Sequence, residues 1–559
     1  MLHKEGHSKR HVKHIELPAG YNLLSDEMQK LKVTGGASMA GSQEDGSGSF
    51  SIPKEGLPES VAFNLLQNEL TLDGNPHLNL ASFVNTTTTE TAQRLIAANI
   101  NKNLADNDEY PQMIELSQRC ISMLARLWKC GPEHTALGCP TTGSSEAIML
   151  GGLAMKRQWE KKMREAGKST AKPNIIMSSA AQVALEKFAR YFDVECRLVP
   201  VSSKSHHRLD PLELWNFADE NTIGVFVILG TTYTGHLENV EEVSDVLDQI
   251  ENQHPDWSNK NIPIHVDGAS GGFVVPFAFT EEQMRRFKLA RWGFDHPRVV
   301  SINTSGHKFG LTTPGLGWVL WKDDNYLLPE LRFKLKYLGS IEETFNLNFS
   351  RPGFQVIHQY YNFLTLGKKG YRDEFNGALV VARLFCLELL QNVQLKDMFE
   401  VVSSIHERFD GGRITLDTIV REPEAFKPGV PLVAFKLSKK FQERYPEIPQ
   451  ALLSSLLRAN GWIIPNYPLP ASSDGSDKWE VLRIVFRSEM SVDLANLLLN
   501  HLQQVMHRLT RCYEALPAQL QEKGRAREDM VRNMLLTLAT HDEDEETGGE
   551  HKKNYRGTC

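Results

Sequence analysis

The chain lacks any run of about eighteen apolar residues, so it offers no candidate for a membrane-spanning helix. It also lacks paired cysteines: seven are scattered from Cys120 to Cys559, with no Cys-x-x-Cys spacing. That pattern speaks against a disulfide framework and a structural zinc site, and reads as reduced thiols in a cytosolic protein. A basic surplus is missing too. The net charge of −7 is spread over many positions, which argues against a nucleic-acid binder. Residues 1–14 are polar and basic with no apolar stretch behind them, so no secretory signal is expected.

What is present suits a multidomain globular chain. A length of 559 residues exceeds what one core supports, and 41% hydrophobic with 23% charged residues is ordinary composition. Residues 1–77 read as an N-terminal arm, a glycine- and serine-rich linker and a helix that follows Pro58. In the arm, His3, His7, His11 and His14 would share a face if helical; the plainer reading is a solvated basic tail, and no metal site is expected. Residues 78–378 alternate short β-rich runs (174–177, 224–229, 262–266, 299–302, 317–320) with amphipathic stretches such as 146–166 and 240–250. Such alternation predicts a mostly parallel sheet covered by helices, with ligands at the carboxyl ends of its strands. From about Phe375 the pattern shifts to long helices and then strands near 432–437 and 481–486, giving a smaller C-terminal domain at 379–511. Residues 512–559 form a tail, expected to be partly disordered, with an acidic run at 542–546.

Three segments carry chemistry. In the first, the apolar strand of Val299, Val300 and Ile302 runs into Ser305-Gly306-His307-Lys308. A lysine just past a strand end sits where a parallel sheet binds its cofactor; desolvated there, its amine becomes less basic and can form a Schiff base. A surface lysine in a turn gives the same string. In the second, Asp267 ends another apolar strand, ahead of Gly268-Ala269-Ser270-Gly271-Gly272. A carboxylate at a buried strand end is costly unless it faces a cation, and the protonated ring nitrogen of pyridoxal phosphate is such a cation. A helix cap is the alternative. In the third, Thr141-Thr142-Gly143-Ser144-Ser145-Glu146 opens a helix whose free N–H groups suit a phosphate, although N-capping explains one serine equally well.

Together with Leu72-Asp73-Gly74-Asn75, Asn101-Lys102-Asn103, Glu109-Tyr110-Pro111-Gln112, Thr232-Tyr233-Thr234-Gly235 and Asn348-Phe349-Ser350-Arg351-Pro352, these strings resemble a known family. It is the glutamate decarboxylases of bacteria, plants and fungi, within the group II pyridoxal-phosphate decarboxylases, and the resemblance spans roughly residues 58–500. It implies an aspartate-aminotransferase-like α/β large domain (fold type I) with a smaller α+β domain. It implies α-decarboxylation of L-glutamate to 4-aminobutanoate in the cytoplasm, by a homo-oligomer of at least two chains, with a hexamer left open. By the same resemblance Lys308 carries the coenzyme and Asp267 holds its ring nitrogen. Ser144, Ser145, Ser305 and His307 grip the phosphate, Gln182 and Ala269 cover the ring faces, and Thr232 lies at the ring edge. Phe349 and Ser350 reach into a neighbour's site. Arg483 binds the substrate α-carboxylate, while Ser82, Phe83, Asn103 and Asp106 surround the distal one. Tyr337 closes the site as part of a loop.

Asp106 beside an anionic substrate implies that one carboxyl takes up a proton, so activity is expected to favour acid. Transamination, or decarboxylation of another acid such as aspartate, would use the same coenzyme, and the distal-carboxylate set argues against both. A silent scaffold is disfavoured by the intact Lys308 and Asp267. In the tail, Arg525, Arg527 and Arg532 flank Met530, Val531, Met534, Leu535 and Leu536, a basic amphipathic pattern of the kind calmodulin binds. No tryptophan follows Trp479 and the acidic run comes soon after, so a helix packed on the body or on a neighbour is the favoured reading.

Overall fold

The computed structural model describes Ile52, residues 55–106, 108–335, 342–470 and 479–515, and Thr537. The histidine-bearing arm, Tyr337, the basic amphipathic segment at 525–536 and the acidic run lie outside these residues. Within residues 55–74 there is one helix, α1 (Glu59–Leu70), which Pro58 precedes and whose side chains are all at least partly exposed.

From Asn75 onward the chain builds a seven-stranded sheet from β1 (Leu137–Thr141), β2 (Asn174–Ser178), β3 (Glu195–Val199), β4 (Thr222–Ile228), β5 (Ile264–Asp267), β6 (Val299–Thr304) and β7 (Gly317–Trp321). Their order is β1-β7-β6-β5-β4-β2-β3. β2 to β6 pair in parallel, while β7 is antiparallel to both β6 and β1. The fold is the mostly parallel α/β architecture that the alternating pattern predicts. β4 shows why: Thr-Ile-Gly-Val-Phe-Val-Ile is buried at every position, the continuous run of a strand covered on both faces. Two strands escape a reading by hydrophobic runs. β1 contains Gly138 and Pro140, and β3 is an edge strand with exposed positions at Glu195 and Leu198.

Helices α2 (Pro111–Leu127), α3 (Ser144–Glu165) and α4 (Gly271–Ala278) accompany this sheet. α3 buries Ala147, Ile148, Gly151, Met155, Trp159 and Met163, a stripe at three- and four-residue spacing. A short antiparallel pair, β8 (Phe333–Leu335) and β9 (Glu342–Thr344), follows. Helix α5 (Phe354–Gln391) begins well before Phe375, just after Pro352, and is interrupted at Gly367, whose φ of 57° no helix accommodates. A second sheet, antiparallel throughout, has the order β10 (Phe399–Val401), β11 (Leu432–Leu437), β13 (Glu480–Val485), β12 (Asn466–Pro468). Helix α6 (Val492–Glu514) closes this part of the chain.

Residues 76–87 act as a strap over the second sheet. Leu80 donates to Ile463 O, Val485 donates to Leu80 O, and Arg487 donates to the carbonyls of Pro76, Asn79 and Val84. The strap then reaches the loop after β6, where the Asn85 N–H donates to His307 O at 2.8 Å. It thereby brings Phe83 over both Lys308 and Arg483.

Candidate active site

The carboxyl ends of β1, β4, β5 and β6 lie at one end of the sheet, and a cavity of about 300 Å³ opens there. Ser144, Ser145, Gln182, Thr232, Asp267, Ala269, His307 and Lys308 all line it. Its size falls within the range of ordinary small-molecule sites, ~300–1,000 Å³. Five segments, each at or just after a strand's carboxyl end, supply these residues, because parallel strands gather their carboxyl ends at one edge of the sheet.

Lys308 lies half-buried with its amine 5.2 Å from the Phe83 ring centre. Burial lowers its pKa, the charge of Asp267 acts the other way, and Arg483 lowers it further. A lysine less basic than usual is the state a nucleophilic amine requires. Across the same cavity, Asp267 is buried and its Oδ1 accepts from Ala269 N at 3.1 Å and from Asn303 Nδ2 at 2.9 Å. Among the described residues its Oδ2 has no hydrogen-bond partner.

The phosphate end is built from backbone geometry. Gly143 precedes α3 with φ 156° and ψ 174°, and a Cβ there would come within 3.2 Å of the His307 ring. His307 Nδ1 accepts from Leu316 N at 3.2 Å, so the neutral ring carries its proton on Nε2. Burial pushes this imidazole down to about 4, and Lys308 adds to the effect. Ser305 Oγ is buried with no hydrogen-bond partner. An orphaned hydroxyl beside a helix N-terminus and an imidazole N–H is a fitting donor set for a phosphate group.

Arg483, on β13, is a buried cation with no carboxylate partner among the described residues. Nη1 donates to Thr232 O at 2.9 Å and Nη2 donates to Ala81 O. The guanidinium lies 4.9 Å from the Phe83 ring centre and 5.5 Å from that of Tyr467, and its Nε is buried without a partner. Burial lowers the Arg483 pKa, and a planar cation so held is primed to accept a carboxylate in a fork. Tyr467 is locked in turn: its hydroxyl donates to Tyr233 O at 3.2 Å and the two rings meet edge to face. Sequence reading missed Tyr233 and Tyr467, since nothing in the spacing of Asn466-Tyr467-Pro468 announces them.

A second cluster lies apart. Asn103 Nδ2 donates to Ser350 Oγ at 3.3 Å, while Asn103 Oδ1 accepts from Arg351 N at 3.0 Å and from Ala105 N. The Asp106 N–H donates to Asn103 O. Phe349 is 45% exposed. None of Asn103, Asp106, Phe349 and Ser350 lines the cavity around Lys308. Ser82 accepts from Val84 N on the strap. Glu146 joins the two clusters: Oε2 accepts from Thr142 N at 2.8 Å, and Oε1 accepts from Leu347 N at 3.1 Å. Tyr337 lies outside the described residues.

An α/β sheet that brings a half-buried lysine, a buried aspartate and a set of phosphate donors to one cavity defines an enzyme of the pyridoxal-phosphate class. The pyridoxal-dependent decarboxylase conserved domain matches residues 56–408. The glutamate decarboxylase of Saccharomyces cerevisiae is 59% identical over the whole of both chains. Glutamate decarboxylase 5 of Arabidopsis thaliana is 40% identical, over 84% of this chain and 85% of its own. The solved glutamate decarboxylase of Lactobacillus brevis superimposes with a TM-score of 0.71 at 34% identity, covering 84% of this chain and 96% of that one. The chain belongs to the pyridoxal-dependent decarboxylases, in their glutamate decarboxylase branch.

Proposed function

We propose that the chain decarboxylates L-glutamate at its α-carbon, releasing 4-aminobutanoate and carbon dioxide, with pyridoxal phosphate as its coenzyme. The observation that carries this reading is Lys308 and Asp267 lining one cavity, with the unpaired guanidinium of Arg483 beside them. When bound, the coenzyme supplies an electron sink for the pair left behind as the carboxylate departs. Lys308 holds its reactive carbon, and the charge of Asp267 keeps a proton on its ring nitrogen. Ser144, Ser145, Ser305 and His307 hold its phosphate, Gln182 and Ala269 flank its ring, and Thr232 borders its edge.

Arg483 binds the substrate α-carboxylate through its free Nε–H and a neighbouring N–H, and so orients the bond that breaks. One proton is taken up at Cα for each carbon dioxide lost. Ser82 and Phe83 meet the distal carboxylate from the strap. The cluster of half-buried Asn103 and Asp106 with exposed Phe349 and Ser350 completes the site of a second copy, so the working unit is at least a dimer. Tyr337 closes the site against water. Residues 78–378 form the coenzyme-binding domain and 379–511 the smaller one. Cytosolic residence accords with Cys120, Cys130, Cys139, Cys196 and Cys386 standing as free thiols.

Incubation of the purified protein with pyridoxal phosphate and a panel of amino acids, followed by mass spectrometry of the products, tests this reading. 4-Aminobutanoate from glutamate is the expected product. An amine from aspartate or cysteine sulfinate instead, or an oxo acid from glutamate, overturns it.

A further inference from the structure

Asp267 is the end of a buried chain of hydrogen bonds. Asn303 donates from Nδ2 to Asp267 Oδ1 at 2.9 Å, and its own Oδ1 lies 2.7 Å from His265 Nε2. An amide oxygen can only accept, so His265 carries a proton on Nε2. On the far side of that ring, Nδ1 lies 2.7 Å from Ser301 Oγ. Burial pushes the imidazole down to about 4, so near neutral pH Nδ1 is bare and accepts the hydroxyl proton of Ser301. Every donor therefore points the same way: Ser301 to His265, His265 to Asn303, Asn303 to Asp267.

The fold fixes each member. His265 pairs with Ser301, and Asp267 with Asn303, across adjacent parallel strands β5 and β6, so all four side chains alternate onto one face. Ser301, His265 and Asn303 are each 0% exposed. The imidazole is walled by Phe226, edge-on at 5.2 Å, and by Gly151 of α3, where a Cβ would come within 2.4 Å of the His265 ring. Polar groups this deep persist only when fully satisfied, and this chain ends at a carboxylate that lines the cavity with Lys308.

We propose that Asn303 and His265 are positioning residues of the coenzyme site: Asn303, held by His265, joins the Ala269 N–H in occupying Oδ1 of Asp267 and so presents Oδ2 to the ring nitrogen of pyridoxal phosphate. The inference rests on the reading of Asp267 given above. Donors to a carboxylate favour its charged form, the form that pairs with a protonated ring nitrogen. Without Asn303, Oδ1 keeps only the Ala269 N–H, and the carboxylate loses one of its two donors.

The test uses the full chain loaded with pyridoxal phosphate. Asn303→Leu keeps the branched shape and removes both hydrogen bonds. The coenzyme dissociation constant is expected to rise roughly tenfold or more, with the visible absorption of the lysine-bound coenzyme changing its dependence on pH. A double-mutant cycle with Asp267→Asn separates the two levels of the claim. If Asp267→Asn alone leaves coenzyme affinity and absorption unchanged, the reading of Asp267 falls. If Asp267→Asn is impaired while Asn303→Leu is silent, only this inference falls. If both are impaired and the Asn303→Leu effect disappears in the Asp267→Asn background, the inference stands. Because a leucine at position 303 can block folding, His265→Gln and His265→Leu are measured too. Glutamine retains a donor for Asn303 and is expected to stay within a few-fold of wild type, whereas leucine does not. Equal coenzyme affinity and spectra for the folded Gln and Leu variants would overturn the proposal.

Discussion

The two clusters of candidate site residues differ in how complete each is within one chain. Around Lys308 and Asp267 the polar atoms are buried and either satisfied or aimed into a shared cavity, and Arg483 is clamped by two carbonyls and two aromatic rings. Around Asn103 and Ser350 the side chains bond to each other at the surface, and Phe349 is 45% exposed. A group that holds a permanently bound coenzyme gains from rigidity inside one chain. A group that greets the far end of a substrate can come from elsewhere.

That contrast can be broken experimentally, and the largest effect is expected in the closed cluster. Arg483→Met leaves the α-carboxylate without its cation and should lower kcat/KM for glutamate by about 150- to 5,000-fold, the ~3–5 kcal/mol of a broken buried pair. Steady-state kinetics check this. In the open cluster, Asn103→Ala should cost about 10- to 100-fold in kcat/KM. Its sharper test is complementation: random dimers of Lys308→Ala with Asn103→Ala should recover roughly a quarter of wild-type activity, since mixed dimers contain one intact site. No recovery would place both residues in the site of a single chain.

Buried histidines set a pH effect on stability that distinguishes the rigid interior from the surface. Burial holds His265, His296, His307 and His358 near a pKa of about 4, below their ordinary 6.5. The unfolded chain binds protons below pH 6.5 while the native one does not, so stability is full above that value and falls as the pH drops toward about 4. Calorimetry of the coenzyme-free protein should therefore show a falling Tm across that window, even if activity rises with acid. The smallest effect is expected from Tyr467→Phe. It removes one hydroxyl bond to Tyr233 O, about 0.5–1.5 kcal/mol, and should raise the KM for glutamate by about two- to tenfold with little change in kcat.

How much of this was legible in the sequence follows from where each signal resides. Lys308 and Asp267 end apolar strands, and a strand end is visible in a one-dimensional pattern. The pairing of Asp267 with Asn303 depends on the register of β5 against β6, which no spacing encodes. Alternating polar residues on the buried β6, Ser301 and Asn303, were nonetheless a signal that a hydrogen-bonded network lies inside. Tyr467 and Tyr233 meet across 234 positions, and Asn103 and Ser350 across 247, distances only the fold resolves. Strand β1 was hidden because its pairing with β7, and not its Gly and Pro residues, makes it a strand.

The account stands on a covalent attachment at one amine. Borohydride reduction of the enzyme loaded with pyridoxal phosphate, followed by digestion and peptide mass spectrometry, should place the coenzyme on Lys308 alone. Attachment at any other lysine, or no attachment in an active preparation, would contradict it.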